Sequence, residues 1–354
     1  MQQRRKKGVI GKLGASRLCT FITLSVLWIA CVPPMWAGAA HGPLVQAVES
    51  VGMTVADVDR SIDFYSRVLL FQKTSDVELA GNNYEHLEGV FGLRMRVVSM
   101  RLGDESIELT EYLTPKGKPV ALDSHSNDRW FQHIAIITGD MDRAYAWLRQ
   151  NRVQHVSSAP QTLPTYIKAA ADIRAFYFED PDHHPLEILE FPSDKGDPKW
   201  HQSNGKLFLG IDHTAIAVAN TSVSLGFYRD VLGFRAVGES ENYGPEQEHL
   251  NNVFGARLRI TSLRSMEGLS IELLEYLTPA DGRSMPSDER ANDLVHHQTR
   301  LVTDDIEAVL KALQDKHYLM VSSGIVTLPN AETGFHFALI VRDPDGHAIE
   351  LAKR

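Results

Sequence analysis

Apolar and polar positions alternate over several short stretches, and those stretches keep a fixed order around an amphipathic helix. Val48 to Val55 reads as a short apolar strand, and His133 to Thr138 as another. Each leads into an acidic helix start, Asp57 and Asp59 in one case, Asp140 and Asp142 in the other, where carboxylates meet the positive end of a helix. Val58, Ile62, Tyr65 and Leu69 then fall at three- and four-residue spacing, the stripe of a helix with one buried face. Alternating strands follow at Leu93 to Met100 and Ser106 to Tyr112. The unit is β-α-β-β-β, and the pattern predicts it four times along the chain.

The segment VGMTVADVDRSIDFYSRVLLF, Val51 to Phe71, recurs 163 positions later as TAIAVANTSVSLGFYRDVLGF, Thr214 to Phe234. Glu85-His86-Leu87 and Val90-Phe91-Gly92 return as Glu248-His249-Leu250 and Val253-Phe254-Gly255. Ser106-Ile107-Glu108-Leu109 returns as Ser270-Ile271-Glu272-Leu273, and Asp180-Pro181-Asp182 as Asp343-Pro344-Asp345. Repetition at an offset of 163 or 164 positions marks a duplicated architecture. The polar, Pro- and Gly-bearing stretch Pro192 to Lys206 suits a linker between the copies. The expected organisation is a leader at 1–40, a first domain at 44–195, a linker at 196–206 and a second domain at 207–354. The fold class is α+β: four βαβββ units, paired into two tandem half-barrel domains. One unit has a single apolar sheet face; pairing two curls the sheets into a cup lined by alternate strand residues.

In Ser106 to Tyr112, Ile107 and Leu109 alternate with Glu108 and Thr110. If the aliphatic side chains face the helix, Glu108 points into the cup, and Glu272 does so in the second copy. Glu187 and Glu350 lie likewise among aliphatic residues near the domain ends. A carboxylate on a central strand needs a partner, because an unpaired buried charge is very costly. A divalent cation is one such partner; on an edge strand the same glutamates would simply face solvent. His86 and His249 recur in both copies, and a strand-pairing role explains them as well as chemistry does.

Composition narrows the setting. Arg4, Arg5, Lys6, Lys7, Lys12 and Arg17 precede an apolar run, Leu18 to Val32, and small residues at Ala37 to Ala40. That order predicts a secretory signal peptide cut near Ala39 or Ala40, hence a periplasmic or secreted protein. The run is about 15 residues, short of the roughly 20 that a spanning helix needs, so no integral membrane domain is expected in the mature chain. Both cysteines, Cys19 and Cys31, lie in this leader, which leaves no disulfide and no thiol ligand. Removing its six cationic residues takes the formal net charge from −9 to −15, which argues against nucleic acid as a partner. About 315 residues remain, enough for two domains. Homo-oligomerisation is left open.

The elements Asp-x-x-x-Ser-x-x-Phe-Tyr, Ile-Glu-Leu, Gln-His-Ile-Ala and Asp-Pro-Asp-Gly-His-x-x-Glu resemble those of the vicinal oxygen chelate superfamily, which includes glyoxalases, bleomycin resistance proteins and extradiol dioxygenases. The resemblance spans nearly all of the mature chain. It implies metal ligands on the first strand and the last strand of each paired unit. Carried over, the second half offers His213, Glu272, Gln298 and Glu350 to one divalent ion, of the Zn, Ni, Co, Mn or Fe kind, with His296 as a further contact or the true ligand in place of Gln298. Such a set suits octahedral coordination with two positions left for water or substrate. The first half offers Glu108, His133 and Glu187, with Ser50 where His213 stands, and so a weaker site.

Glyoxalase-type chemistry fits that set, a lyase or isomerase reaction on a small molecule. The resemblance implies a metal that chelates two neighbouring substrate oxygens and stabilises an enediolate while Glu350 or Glu272 removes a carbon-bound proton. The runner-up is an extradiol-type Fe(II) dioxygenase using His213, His296 or Gln298, and Glu350. Tyr177 precedes Asp-Pro in the first half as in that family, whereas Ile340 takes its place in the second. The third reading is a small-molecule binding protein of the bleomycin-resistance kind, with aromatics such as Trp130 and Tyr243 lining a cup. Metal content separates the binder from the two enzyme readings, and oxygen uptake with catechols separates those two.

Overall fold

The computed structural model describes residues 42–329 and 334–354. The leader expected over residues 1–40, with Cys19 and Cys31, lies outside the described residues. No helix among the described residues is long and apolar enough to cross a membrane.

Four units follow one another. The first holds β1 (Ala47–Thr54), α1 (Val58–Arg67), β2 (Gln72–Ala80), α2 (Asn82–Glu88), β3 (Arg94–Leu102) and β4 (Glu105–Thr114). The second holds β5 (Gln132–Thr138), α3 (Met141–Gln150), two short strands β6 (Gln154–His155) and β7 (Gln161–Thr162), then β8 (Arg174–Glu179) and β9 (Pro185–Glu190). The third holds β10 (Phe208–Val218), α4 (Thr221–Tyr228), β11 (Arg235–Tyr243), α5 (Pro245–Asn251), β12 (Arg257–Arg264), β13 (Glu267–Gly268) and β14 (Ser270–Thr278). The fourth holds β15 (His297–Val302), α6 (Ile306–Asp315), β16 (Val326–Thr327), β17 (Phe337–Arg342) and β18 (Ala348–Lys353).

The crossover helices start where the acidic signals place them. The side chains of Asp57 and Asp140 accept the backbone N–H of Arg60 and Arg143, and Asn220 and Asp305 do the same for α4 and α6. Helices of eight to ten residues are marginal alone. Burial supplies the rest: Val58 and Tyr65 of α1, and Ile306, Val309 and Leu313 of α6, are almost wholly removed from solvent.

Two half-barrels form, and their composition departs from simple tandem pairing. One sheet runs β16-β17-β18-β15-β1-β4-β3-β2, so it joins the first unit to the fourth. The other runs β11-β12-β14-β10-β5-β9-β8-β6 and joins the third to the second. We call these the outer and the inner cup. In each, the central pair is antiparallel, β1 on β15 and β10 on β5, flanked by parallel partners. One face of both sheets feeds a common core with the helices, where Val51, Ile107, Ile134, Ile136, Ile216, Leu273 and Leu301 meet. The alternate residues line the cups, so Ile107 and Leu109 are in the core and Glu108 borders the outer cavity, as the strand pattern predicts. Glu187 and Glu350 sit on interior strands and are 4% and 2% exposed, which excludes a solvent-facing edge for either.

Candidate metal centre

The inner cup is built around an antiparallel pair with near two-fold repetition. On β5 the sequence His133-Ile134-Ala135 runs opposite His213-Thr214-Ala215 on β10, with His133 registered on Ala215 and Ala135 on His213. Ala135 also pairs with Glu187 on β9, and Ala215 with Glu272 on β14. Strand period two therefore sends both histidines and both glutamates to one face. Alanine at the two central positions keeps the middle of that face clear. A register shift between Ile211 and His213 marks a bulge, which lets Ile211 stay in the core while Asp212 and His213 both border the cavity.

His133 Nε2 lies 3.1 Å from Glu187 Oε2, and His213 Nε2 lies 3.6 Å from the same oxygen and 3.5 Å from Glu272 Oε2. Two ligands held about 2.0–2.2 Å from one ion stand roughly 3–4 Å apart, so these separations match a shared cation. One ligand atom from each of His133, Glu187 and His213 falls within a 4.8 Å group. His133 gives the clearest sign. It is 2% exposed, yet neither ring nitrogen makes a hydrogen bond, although Nε2 faces a carboxylate. A buried imidazole without a hydrogen bond is costly, and a cation shared with Glu187 removes that cost. The donor set fits a divalent metal that accepts nitrogen and oxygen ligands.

Glu272 differs from the other three. Its side chain is 21% exposed against 5% for Glu187, and Ser262 Oγ donates to its Oε1 at 2.5 Å. It borders an open cavity of about 550 Å³, floored by the histidines and walled by Tyr177, Leu189, Phe191 and Ile260.

Behind His213, Asp212 Oδ2 lies 3.1 Å from Nδ1, and Trp200 Nε1 donates to Asp212 Oδ1 at 2.9 Å. Trp200 belongs to a 3₁₀ turn, Pro198–His201, within the stretch read as a linker. Burial alone pushes the His213 imidazole down. The carboxylates of Glu272, Asp212 and Glu187 outweigh it and lift His213 to about 9. Burial pushes Asp212 up, but its contact with His213 wins and holds it below the ordinary aspartate range. The cup is a field that favours positive charge.

The ligand sets drawn from each half must be regrouped. His213 and Glu272 lie in the inner cup, whereas Gln298, Glu350 and His296 lie in the outer one, so these residues do not converge on one ion. Glu108 likewise lies in the outer cup, apart from His133 and Glu187. Glu350 cannot act as base at His213. The cause is topological: β10 pairs with β5 of the preceding half, and β15 with β1.

In the outer cup, Ser50 and Gly52 register on Arg300 and Gln298, Gly52 on Glu108, and Arg300 on Glu350. Arg300 Nε donates to Glu350 Oε2 at 2.8 Å and Nη1 to Glu108 Oε1 at 2.5 Å. Gln298 Nε2 donates to Glu350 Oε2 at 3.1 Å, and His296 Nε2 lies 3.3 Å from Gln298 Oε1. His296 also meets Glu289 at 2.7 Å. The cavity there is about 60 Å³. Sequence reasoning missed Arg300 and Asp212. The repeat itself carried the signal for the first, since Arg300 falls where the other copy has Ala135.

The family model for the Glyoxalase/Bleomycin resistance protein/Dioxygenase superfamily matches residues 47–188 and again 210–351. The uncharacterized protein YwbC of Bacillus subtilis (strain 168) is 31% identical over 147 residues, 41% of this chain and 97% of its own length. A 2-epi-5-epi-valiolone epimerase of Actinomyces sp is 28% identical over 176 residues, 47% of this chain and 90% of its own. Each of these two relatives thus corresponds to less than half of this chain. The crystal structure of glyoxalase I from Zea mays superposes with a TM-score of 0.54 at 15% identity, covering 88% of this chain and 92% of that one. At that identity the likeness is one of fold. With two family matches spanning most of its length, the chain belongs to the Glyoxalase/Bleomycin resistance protein/Dioxygenase superfamily.

Proposed function

We propose that the inner cup is a metal-dependent active site of glyoxalase type, a lyase or isomerase site that moves a proton on carbon in a small substrate. The supporting observation is the buried, hydrogen-bond-free His133 facing Glu187 and His213 at ligand separations. His133, Glu187 and His213 would hold a divalent cation. When bound, that cation supplies positive charge for two neighbouring substrate oxygens and for the charge that develops as the proton leaves.

Glu272 takes the proton. It borders the cavity, is the more exposed of the two carboxylates, and is oriented by the Ser262 hydroxyl. Glu187, 5% exposed and 3.1 Å from His133, serves as a ligand. Tyr177 and Phe191 add aromatic wall to the cavity above the histidines. An epimerase among the relatives agrees with this reading, since inversion beside a carbonyl is one outcome of removing and returning a proton. The leader read in residues 1–40 would direct the protein to the periplasm or out of the cell, which favours a free small molecule over a glutathione or coenzyme A conjugate.

The test is deuterium wash-in from D₂O at the carbon beside the carbonyl in a panel of hydroxyketones, with elemental analysis alongside. Glu272→Gln is expected to keep its metal and lose exchange by about 10²–10⁴-fold, while His213→Ala loses the metal. Exchange that survives Glu272→Gln sinks the assignment of the base. A second reading, ring cleavage by a two-histidine, one-carboxylate Fe(II) centre, is favoured by the three-residue group itself. Oxygen uptake with catechols, unaffected by Glu272→Gln, would select it.

A further inference from the structure

The two cups share one register, so their positions correspond residue by residue. Ser50 stands for His213, Gly52 for Ala215, Glu108 for Glu272, Gln298 for His133 and Glu350 for Glu187. Arg300 stands for Ala135. Both histidines are therefore replaced by neutral groups, while both carboxylates remain. Between those carboxylates the outer cup places a guanidinium, 2.8 Å from Glu350 and 2.5 Å from Glu108.

We propose that Arg300 is a resident organic cation occupying the place a metal takes in the inner cup, which makes the outer cup permanently metal-free and the chain a one-ion protein. Charge and space both support this. Glu108 on β4 and Glu350 on β18 face the same cup across β1 and β15, with side chains 18% and 3% exposed. Carboxylates so withdrawn from solvent need a positive partner, and the planar fork of arginine satisfies both at once. With the guanidinium seated there, a divalent ion would meet a like charge at contact distance and find each carboxylate already bonded. Burial of Glu350, at 2% exposure, leaves that carboxylate no route to swing outward toward an ion. The contact between Gln298 Nε2 and Glu350 closes the remaining side. In the inner cup, by contrast, Ala135 leaves the centre clear, and His133 faces Glu187 at 3.1 Å with no hydrogen bond at either ring nitrogen.

The inference rests on the inner cup only for its comparison, and the two can fail separately. Purified full-length protein is equilibrated with Zn²⁺ or Ni²⁺, dialysed, and its metal measured per chain. The native chain is expected to hold one ion, Glu187→Gln and His213→Ala to hold none, and Glu108→Gln and Glu350→Gln to keep one. The triple variant Ser50→His/Gln298→His/Arg300→Ala, which copies the inner set, is expected to gain a second ion, with circular dichroism confirming the fold. Two ions in the native chain, or loss of an ion in Glu350→Gln, overturns the proposal. No ion in the native chain overturns the reading of the inner cup instead, and the proposal then requires the triple variant to bind one. A folded triple variant that gains none shows that the guanidinium is not what keeps the metal out, and overturns it as well.

Discussion

Asp212 sits behind His213 rather than in front of it, and its two oxygens are committed to the His213 ring and the Trp200 indole. Holding a proton on Nδ1 leaves Nε2 as the ligand atom, and removing such a partner typically weakens metal binding 10–100-fold. Asp212→Asn is expected to fold normally and lose about that much affinity in a chelator competition; unchanged affinity would assign Asp212 to packing alone. Arg300 makes the opposite case, a charge kept for balance. Arg300→Met leaves Glu108 and Glu350 uncompensated, and breaking a buried pair costs about 3–5 kcal/mol. Urea denaturation should show that loss, and adding Glu108→Gln and Glu350→Gln should recover part of it. Of the inner-cup residues, Glu272 was legible from strand alternation and Glu187 from its aliphatic neighbours, whereas His133 and His213 followed only from the family resemblance. Arg300 was passed over although the repeat sets it against Ala135, because an arginine in a strand reads as an exposed residue until its carboxylate neighbours are known.

At the scale of elements, the motifs that carry the family resemblance turn out to fasten units together. The Asp-Pro-Asp turn after β8 belongs to the second unit, but Tyr65 of α1 donates to Asp180 Oδ2 at 3.2 Å and the Ala56 N–H donates to Asp182. The second copy repeats the tie: Tyr228 donates to Asp343 at 3.0 Å and the Ala219 N–H to Asp345. His184 adds a charged link, with Nδ1 2.9 Å from Asp180 Oδ2 and Nε2 2.7 Å from the Leu294 carbonyl. Both nitrogens face acceptors, so the ring is held doubly protonated. Burial pushes it down, the Asp180 carboxylate more than compensates, and its pKa stands at about 9. A folded-state value above the unfolded value of about 6.5 means the contribution is fully present below that pH and is lost as pH rises through 9. His184→Gln is therefore expected to be less stable than the native chain by about 2–3 kcal/mol at pH 6, with the gap closing by pH 9.5. Denaturant midpoints at both pH values check this, and a constant gap would sink it. Element types and helix starts were readable from periodicity and from Asp57 and Asp140. Which unit pairs with which was not, because hydrophobic period fixes the face a residue shows and says nothing about the neighbouring strand.

Across the whole molecule, pairing the first unit with the fourth and the second with the third gives both half-barrels a single core. That core draws Val51 and Ile107 from the first unit, Ile134 and Leu186 from the second, Ile216 and Leu273 from the third, and Leu301 and Leu351 from the fourth. Polar ties cross it too: Gln132 Nε2 donates to Thr214 Oγ1 at 3.0 Å in its own sheet and to Thr299 Oγ1 at 3.1 Å in the other. Neither half-barrel can open without exposing the face that covers its neighbour, at roughly 1.5–3 kcal/mol for each large aliphatic side chain uncovered. Unfolding is thus expected to be one transition, and an ion bound in the inner cup alone must stabilise the outer cup by the same amount. At a free-ion concentration one hundred times Kd the gain is about 2.7 kcal/mol, which for a chain of this size raises Tm by roughly 4 °C. Calorimetry with and without Zn²⁺ should show a single peak that moves as a whole. Two peaks, of which the metal shifts only one, would mean that the half-barrels are energetically independent and that the shared core does not couple them.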